Sequence, residues 1–280
     1  MKIAVLSGKG GTGKTFVSVN LAITMNDSIY LDCDVEEPNG ILYLKPEIIE
    51  TKTVSVSIPK IDTIRCDGCR KCVDFCAFNA LILLDNKAFL SEQLCHSCGG
   101  CVLVCPQKVI TELTREIGTV TICKKDSTLI VAGMMNPKEE TGVPIIKEVK
   151  KTVSNYNDKT VIVDCPPGSG CSVMESIDDA DYCVIVTEPT VFGLANLKMI
   201  VDLVKTMGIK AGIVINKAQE NNDLIIDYCQ DKNISLLGVI PFSRELATIN
   251  NEARIAVKEN NKYAQIFNNM LSRILTEAEK

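Results

Sequence analysis

The stretch from Gly8 to Thr15 has the residue types and spacing of a loop that binds phosphate. It reads Gly8-Lys9-Gly10-Gly11-Thr12-Gly13-Lys14-Thr15 and fits the pattern G-x-x-x-x-G-K-[ST] at every fixed position. Glycines allow successive backbone N–H groups to turn inward around phosphate oxygens, Lys14 reaches the outer phosphates, and the Thr15 hydroxyl binds Mg²⁺. The sequence therefore predicts a nucleotide site that uses Mg²⁺.

Two runs of cysteines form a second group with chemical potential. They are Cys66, Cys69, Cys72 and Cys76, and then Cys95, Cys98, Cys101 and Cys105, which Pro106 follows. This is the ferredoxin spacing for 4Fe-4S clusters, in which three cysteines of a run hold one cluster and the fourth crosses to the other. We expect Cys66, Cys69, Cys72 and Cys105 to hold the first cluster, and Cys95, Cys98, Cys101 and Cys76 the second. Paired C-x2-C units also make zinc sites, which is the competing interpretation.

The chain has 14 cysteines and one histidine, so six cysteines and His96 need a separate interpretation. Most of the six lie in or beside apolar strands, where free cysteine is a common core residue. Cys165 and Cys171 flank a Pro-Pro-Gly loop, and in a symmetric dimer they could instead supply four thiolates to a bridging cluster. His96 is interpreted as an exposed neighbour of the second cluster.

Composition limits the class of protein. With 280 residues and 46% hydrophobic content, the length predicts about two domains. The net charge of −5 and the absence of a Lys/Arg block argue against a nucleic-acid partner. No apolar run reaches the ~18 residues of a membrane span, and no signal-peptide core is visible, so we expect a cytoplasmic protein.

Strand-like apolar runs alternate with helical patterns outside the cysteine segment. The predicted strands are residues 2–6, 28–34, 54–58, 128–131, 160–163, 182–186, 210–215 and 234–240, and the predicted helices are 16–25, 143–153, 194–205, 224–231 and 263–275. Pro59 is expected to end the third strand. The alternation predicts an α/β fold with a doubly wound, mostly parallel sheet, formed by residues 1–61 and 113–280, with a small ferredoxin-like α+β domain inserted at residues 62–112.

With these motifs assembled, the chain resembles the Mrp/MinD group of P-loop ATPases carrying an inserted two-cluster ferredoxin domain. Lys9 resembles the extra lysine of the deviant Walker A loop, which reaches across a dimer to the partner's nucleotide. The resemblance implies that Asp34 orients the attacking water, Asp32 supports Mg²⁺, and Asp164 is the Walker B aspartate. It also implies that Asn216 reads the adenine edge and that Pro241 flanks the base.

The function expected from the motifs and the resemblance is ATP hydrolysis by a homodimer, coupled to electron transfer through two 4Fe-4S clusters to an unidentified acceptor protein. Lys9, Lys14 and Asp34 would perform the catalysis. One alternative is an ATPase for assembling or delivering an iron-sulfur cluster or metallocofactor to a target protein. Another is a redox sensor whose nucleotide is structural.

Overall fold

The computed structural model describes residues 1–156 and 158–279. Its main feature is a nine-stranded sheet, and two further strands form a separate hairpin. The strands are β1 (Lys2–Leu6), β2 (Ile29–Asp32), β3 (Glu47–Ile61), β4 (Leu81–Leu84), β5 (Lys87–Leu90), β6 (Ile110–Lys125), β7 (Thr128–Met135), β8 (Val161–Asp164), β9 (Tyr182–Thr187), β10 (Lys210–Ala218) and β11 (Ser235–Pro241).

The order of the large sheet is β11-β10-β9-β1-β8-β2-β7-β6-β3. The seven strands from β11 to β7 are parallel, whereas β6 and β3 are antiparallel additions at one edge. The carboxyl ends of β1, β2 and β8 meet at one side of the sheet, which is where such sheets bind ligands. The predicted α/β class with a mostly parallel sheet is confirmed.

Helices cover both faces of the large sheet, and two further short helices lie in the cysteine segment. They are α1 (Lys14–Thr24), α2 (Gly40–Leu44), α3 (Lys71–Phe75), α4 (Gly100–Val104), α5 (Val143–Thr152), α6 (Cys171–Ile177), α7 (Val191–Thr206), α8 (Asp223–Lys232), α9 (Arg244–Asn251), α10 (Ala256–Glu259) and α11 (Asn261–Glu279). Along β1, Ala4 and Leu6 join the apolar layer beneath α5 to α8, while Ile3 and Val5 join the layer beneath α1 and α11. Burial on both faces explains why this strand is a continuous apolar run.

The terminal helix α11 covers the predicted helix 263–275 and packs on the core through its apolar side chains. Tyr263, Phe267, Met270 and Ile274 are buried, and the rings of Phe267 and Phe16 meet edge to face with centroids 6.0 Å apart. In the described residues, 1–156 and 158–279, no helix has the length and apolar character to cross a membrane.

The cysteine segment lies between two long paired strands. Strands β3 and β6 are antiparallel from the pair Glu47 and Lys124 to the pair Ile61 and Ile110. The prediction that Pro59 ends the strand is wrong, because β3 is the edge strand, where proline is tolerated. Between the two strands, α3, α4 and the β4–β5 hairpin enclose a small apolar core of their own.

Candidate functional site

The phosphate-binding loop lies between β1 and α1, which begins at Lys14. Gly11 and Gly13 have φ values of 76° and 89°, a left-handed conformation that glycine adopts without strain. A Cβ atom at Gly13 would overlap the Asn216 side chain, and one at Gly8 would lie 2.6 Å from Asn196 Cβ. Glycine is therefore required at these positions by the backbone conformation and by the close packing under the loop.

The loop borders a cavity of 820 Å³, whose lining includes the loop from Lys9 to Thr15 together with Asp34. An adjoining cavity of 230 Å³ is lined by Asn216 and Pro241. Asn216 Nδ2 donates a hydrogen bond to the Thr12 carbonyl oxygen at 2.7 Å. The structure thus places both sequence-predicted base-binding residues next to the loop, and it gives the Asn216 amide a further role in holding the loop.

Lys14 is buried between two carboxylates. Its Nζ lies 2.8 Å from Asp164 Oδ1 and 3.3 Å from Asp34 Oδ2. Burial would lower the pKa of Lys14, but the charges of Asp164 and Asp34 outweigh it and raise the pKa above its usual value. Lys14 therefore keeps its positive charge, which a residue that binds phosphate requires.

Asp32 and Asp164 are fully buried at the ends of neighbouring strands. Asp32 Oδ2 accepts a hydrogen bond from the Gly40 backbone at 2.8 Å, and burial together with the Asp164 charge raises its pKa well above the usual range. Burial also raises the pKa of Asp34, against the opposing effect of Lys14. Three carboxyl groups lie around one ammonium group, and the raised pKa values of Asp32 and Asp34 mean that a further positive charge would stabilise their ionised forms. This suits a divalent cation.

Tyr30 is a site residue that sequence reasoning missed. Its hydroxyl is buried on β2, donates to Asp164 Oδ2 at 3.0 Å and lies 3.5 Å from Ser18 Oγ. A tyrosine in an apolar strand has the pattern of an ordinary core residue, and only its hydroxyl group indicates that it could have a polar partner. A buried Tyr hydroxyl usually has a partner, so the Asp164 contact was open to inference only once the sheet order was known.

The Lys9 side chain forms an ion pair within its own subunit. Its Nζ lies 2.8 Å from Glu188 Oε2, and Lys217 Nζ lies 2.7 Å from Glu188 Oε1. Burial would raise the pKa of Glu188, but the hydrogen bonds from Lys217 and Lys9 outweigh it and lower the pKa. Sequence reasoning missed Glu188 and Lys217, because neither belongs to the phosphate-loop motif.

The eight cysteines of the two runs separate into two sets of four. One small cavity is lined by Cys66, Cys69, Cys72 and Cys105, and another by Cys76, Cys95, Cys98 and Cys101. The fourth cysteine of each run thus lies with the first three of the other. Among residues 1–156 and 158–279, no group of three His, Cys, Asp or Glu side chains is placed to hold a single metal ion.

His96 is exposed and stacks on Phe78, with ring centroids 3.7 Å apart and an interplanar angle of 9°. Of the six remaining cysteines only Cys171 is exposed. Cys165 is fully buried, and burial raises its pKa well above the usual value, so it does not present a thiolate at the surface beside Cys171. This burial disfavours the idea of a cluster that bridges two copies through this pair.

Comparisons with known proteins agree with the fold and the loop. Residues 3–255 match the family described as CbiA, the CobQ/CobB/MinD/ParA nucleotide binding domain. An uncharacterized protein of Methanocaldococcus jannaschii is 32% identical over 78% of this chain and 80% of its own length. A Methanococcus maripaludis protein named iron-sulfur cluster carrier protein is 25% identical over 99% of this chain and 86% of its own length.

Among solved structures, the septum site-determining protein MinD of Pyrococcus horikoshii, in complex with Mg-ADP, superposes with a TM-score of 0.61. The superposition covers 98% of this chain and 95% of that one at 18% identity, and shows that the two share a fold. Since the family match extends over most of the sequence and includes the phosphate loop, the chain belongs to the CobQ/CobB/MinD/ParA family of nucleotide-binding P-loop proteins.

Proposed function

We propose that the protein is a homodimeric, ATP-hydrolysing iron-sulfur protein that couples its nucleotide state to electron transfer through two 4Fe-4S clusters. The observation that carries the proposal is the presence, in one chain, of a phosphate loop with a buried acidic site and two separate sets of four cysteines. The electron acceptor is an unidentified partner protein. The proposed ferredoxin-like domain comprises residues 62–112, and residues 1–61 and 113–280 form the proposed ATPase domain.

The chain's own residues suit phosphoryl transfer. Asp34 and Asp164 keep Lys14 charged within the loop. The phosphate oxygens of a bound nucleotide would replace these two carboxylates as partners of the ammonium group. Thr15, Asp32 and Asp164 would hold Mg²⁺, which neutralises charge on the phosphates when bound. Asp34 lines the cavity and would orient the attacking water. Lys9 would act on the nucleotide of the second copy.

The cysteine sets suit 4Fe-4S clusters, which supply one-electron transfer when bound. Each set offers four sulfur donors around its own small cavity, and Cys72 and Cys101 are the most buried member of each set. The crossover between the two runs is the arrangement that the ferredoxin spacing requires. A pair of independent zinc sites would have no need of it.

A chain of packed residues connects the nucleotide site to the second cysteine set. Val35, which follows Asp34, accepts a hydrogen bond from the Met135 backbone at 2.8 Å, and a Cβ atom at Gly142 would overlap its side chain. In the loop that contains Gly142, between β7 and α5, Glu139 forms an ion pair with Arg115 at 2.9 Å. Both residues line a small cavity together with Cys95, His96 and Ser97. A movement of the Asp34 segment would therefore be transmitted towards this cysteine loop.

The crossover can be tested with serine variants of single cysteines. Cys105→Ser should weaken the same cluster signal in electron paramagnetic resonance as Cys66→Ser, because both residues belong to the first set. Cys76→Ser should weaken the other signal, together with Cys95→Ser. Cys171→Ser, an exposed cysteine outside both sets, is the control and should retain both signals. Bound zinc with no iron in the anaerobically purified protein would contradict the proposal.

A second candidate function is cluster delivery to a target protein. It is favoured by the similarity to the protein named iron-sulfur cluster carrier protein, which covers nearly the whole chain. Incubation with an apo-ferredoxin and a chelator separates the two candidates. Clusters that leave the chain and appear in the apo-ferredoxin during ATP turnover would support delivery. Clusters that remain in place would support electron transfer.

A further inference from the structure

The Lys9 side chain is held by a small network of ion pairs within its own subunit. Glu188 follows the last residue of β9, and its two carboxylate oxygens accept from different lysines, Lys9 at 2.8 Å and Lys217 at 2.7 Å. The Glu188 side chain is only 15% exposed, whereas that of Lys9 is 37% exposed. The carboxylate is therefore the more enclosed member of the pair, and Lys9 is the one more accessible to a second copy.

The network is attached to the phosphate loop at a second point. Lys217 Nζ also donates to the Gly11 carbonyl oxygen at 2.7 Å. Lys217 has a φ of 53°, in the left-handed region, where β10 departs from regular pairing with β11 between Ile215 and Ala218. A non-glycine residue in this conformation carries strain that the surrounding contacts must support. The strained backbone directs Lys217 towards both Gly11 and Glu188.

The surface next to the network is apolar. Val191 and Phe192, at the start of α7, are 74% and 78% exposed, and they follow Glu188 closely in sequence. A second copy of the chain that contributes Lys9 to a shared ATP site must approach the phosphate loop near this surface. A nucleotide phosphate carries more negative charge than one carboxylate and accepts charge-assisted hydrogen bonds, so it competes with Glu188 for Lys9.

We propose that Glu188 is a positioning residue that holds Lys9 within its own subunit until a nucleotide bound to a second copy draws the lysine away. The inference rests on the two-subunit ATP site proposed above. Each subunit must break its Lys9–Glu188 pair when the shared site forms. Glu188 therefore opposes assembly of the active dimer and sets the protein concentration at which hydrolysis begins.

The test measures the ATPase rate per subunit of the full-length chain against total protein concentration, at saturating ATP and Mg²⁺. Glu188→Gln keeps the size of the side chain but removes its charge and replaces one acceptor oxygen by an NH2 donor. Since a partly exposed ion pair contributes modestly, the half-maximal concentration should fall about fivefold. Glu188→Asp moves the carboxylate slightly away from Lys9, so its half-maximal concentration should lie between those of Glu188→Gln and the wild type. It also provides the test if Glu188→Gln does not fold.

Glu148→Gln is the matched control, because Glu148 pairs with Lys151 at 3.2 Å on the far helix α5. It should leave the half-maximal concentration at the wild-type value. A half-maximal concentration that is unchanged or raised in Glu188→Gln would overturn the inference. Lys9→Ala separates this failure from failure of the proposed function. If Lys9→Ala retains full ATPase activity, or if the wild-type rate per subunit does not rise with protein concentration, the two-subunit site itself is wrong. If Lys9→Ala loses activity and the wild-type rate does rise with concentration, only the role of Glu188 is wrong.

Discussion

Lys14, Asp34 and Asp164 show how single residues prepare this site for a charged ligand. The ammonium group is neutralised by two carboxylates at 2.8 and 3.3 Å in a buried position, so it has little freedom before the nucleotide arrives. Binding of phosphate must compete with these contacts, and a divalent cation that takes over the carboxylates releases the lysine. Lysine and cation are therefore expected to act together.

Tyr30→Phe tests whether the position of Asp164 depends on its buried hydroxyl partner. The change removes the hydrogen bond of 3.0 Å to Asp164 Oδ2. Asp164 then loses one of the contacts that orient it, and the Mg²⁺ concentration for half-maximal ATPase activity should rise several-fold. The free energy of unfolding should fall by about 1 kcal/mol, the usual contribution of one hydrogen bond.

Tyr182→Phe is the matched control for this change. Tyr182 is also buried in a strand, and within the described residues its hydroxyl has no hydrogen-bond partner. Its removal should leave the Mg²⁺ dependence as in the wild type. An unchanged Mg²⁺ dependence in Tyr30→Phe as well would show that the hydroxyl does not position Asp164.

At the residue scale, the sequence was informative where a motif is short and continuous. The phosphate loop and the cysteine spacing could be interpreted without a structure, because their chemistry requires fixed residue types at fixed intervals. Glu188 could not, since it contacts Lys9 across 179 positions of the chain. The contact depends on β9 lying beside β1, which local patterns do not specify.

At the scale of elements, the two cysteine runs are copies of one turn. Gly68 and Ser97 occupy equivalent positions before the second cysteine of each run, and Arg70 and Gly99 occupy equivalent positions after it. All four have positive φ values, between 55° and 71°. The backbone conformation is thus shared by both copies and does not by itself require glycine.

Gly68→Ala tests a close approach that is specific to the first copy. A Cβ atom at Gly68 would overlap the backbone carbonyl of Asn86, in the turn between β4 and β5, and that carbonyl cannot rotate away. The first cysteine loop should therefore be displaced. After anaerobic reconstitution, iron content should fall to roughly half, with loss of one of two clusters.

Gly99→Ala is the control for Gly68→Ala. It has the same φ of 71°, but the nearest atom to its Cβ would be Glu112 Oε1 at 3.5 Å. It carries the left-handed penalty of about 1–2 kcal/mol without the overlap, and Arg70 shows that the copy tolerates a side chain there. Equal iron contents in the two variants would contradict the explanation.

The elements were predicted well where burial imposes a pattern and poorly where it does not. The parallel strands are apolar on both faces, and their positions follow from the sequence. Strand β3 extends from Glu47 to Ile61, far beyond the predicted residues 54–58, because its first seven residues are exposed and lack an apolar pattern. The helices α2, α6, α9 and α10 were missed because they are short.

At the scale of the whole molecule, the sheet order brings the two proposed activities together. Strand β2 ends at Asp32, and Asp34 follows it closely. Strand β2 pairs with β7, and β7 pairs with β6, the strand that follows the cysteine segment. The nucleotide edge and the cysteine segment are thus separated by two strand pairings. Contacts of Val35 with Met135 and Gly142, and of Glu139 with Arg115, connect the two.

The central claim is that the nucleotide state controls electron transfer. Its most direct test is the rate at which dithionite-reduced protein, freed of excess reductant, is reoxidised by cytochrome c in stopped flow. The rate is compared with ATP, with ADP and with a non-hydrolysable ATP analogue. Coupling free energies are typically about 1–3 kcal/mol, and a change of this size in the barrier to electron transfer would make the rates with ATP or the analogue differ from the ADP rate about fivefold or more. Equal rates in all three nucleotide states, in protein that hydrolyses ATP and retains both clusters, would contradict the coupling.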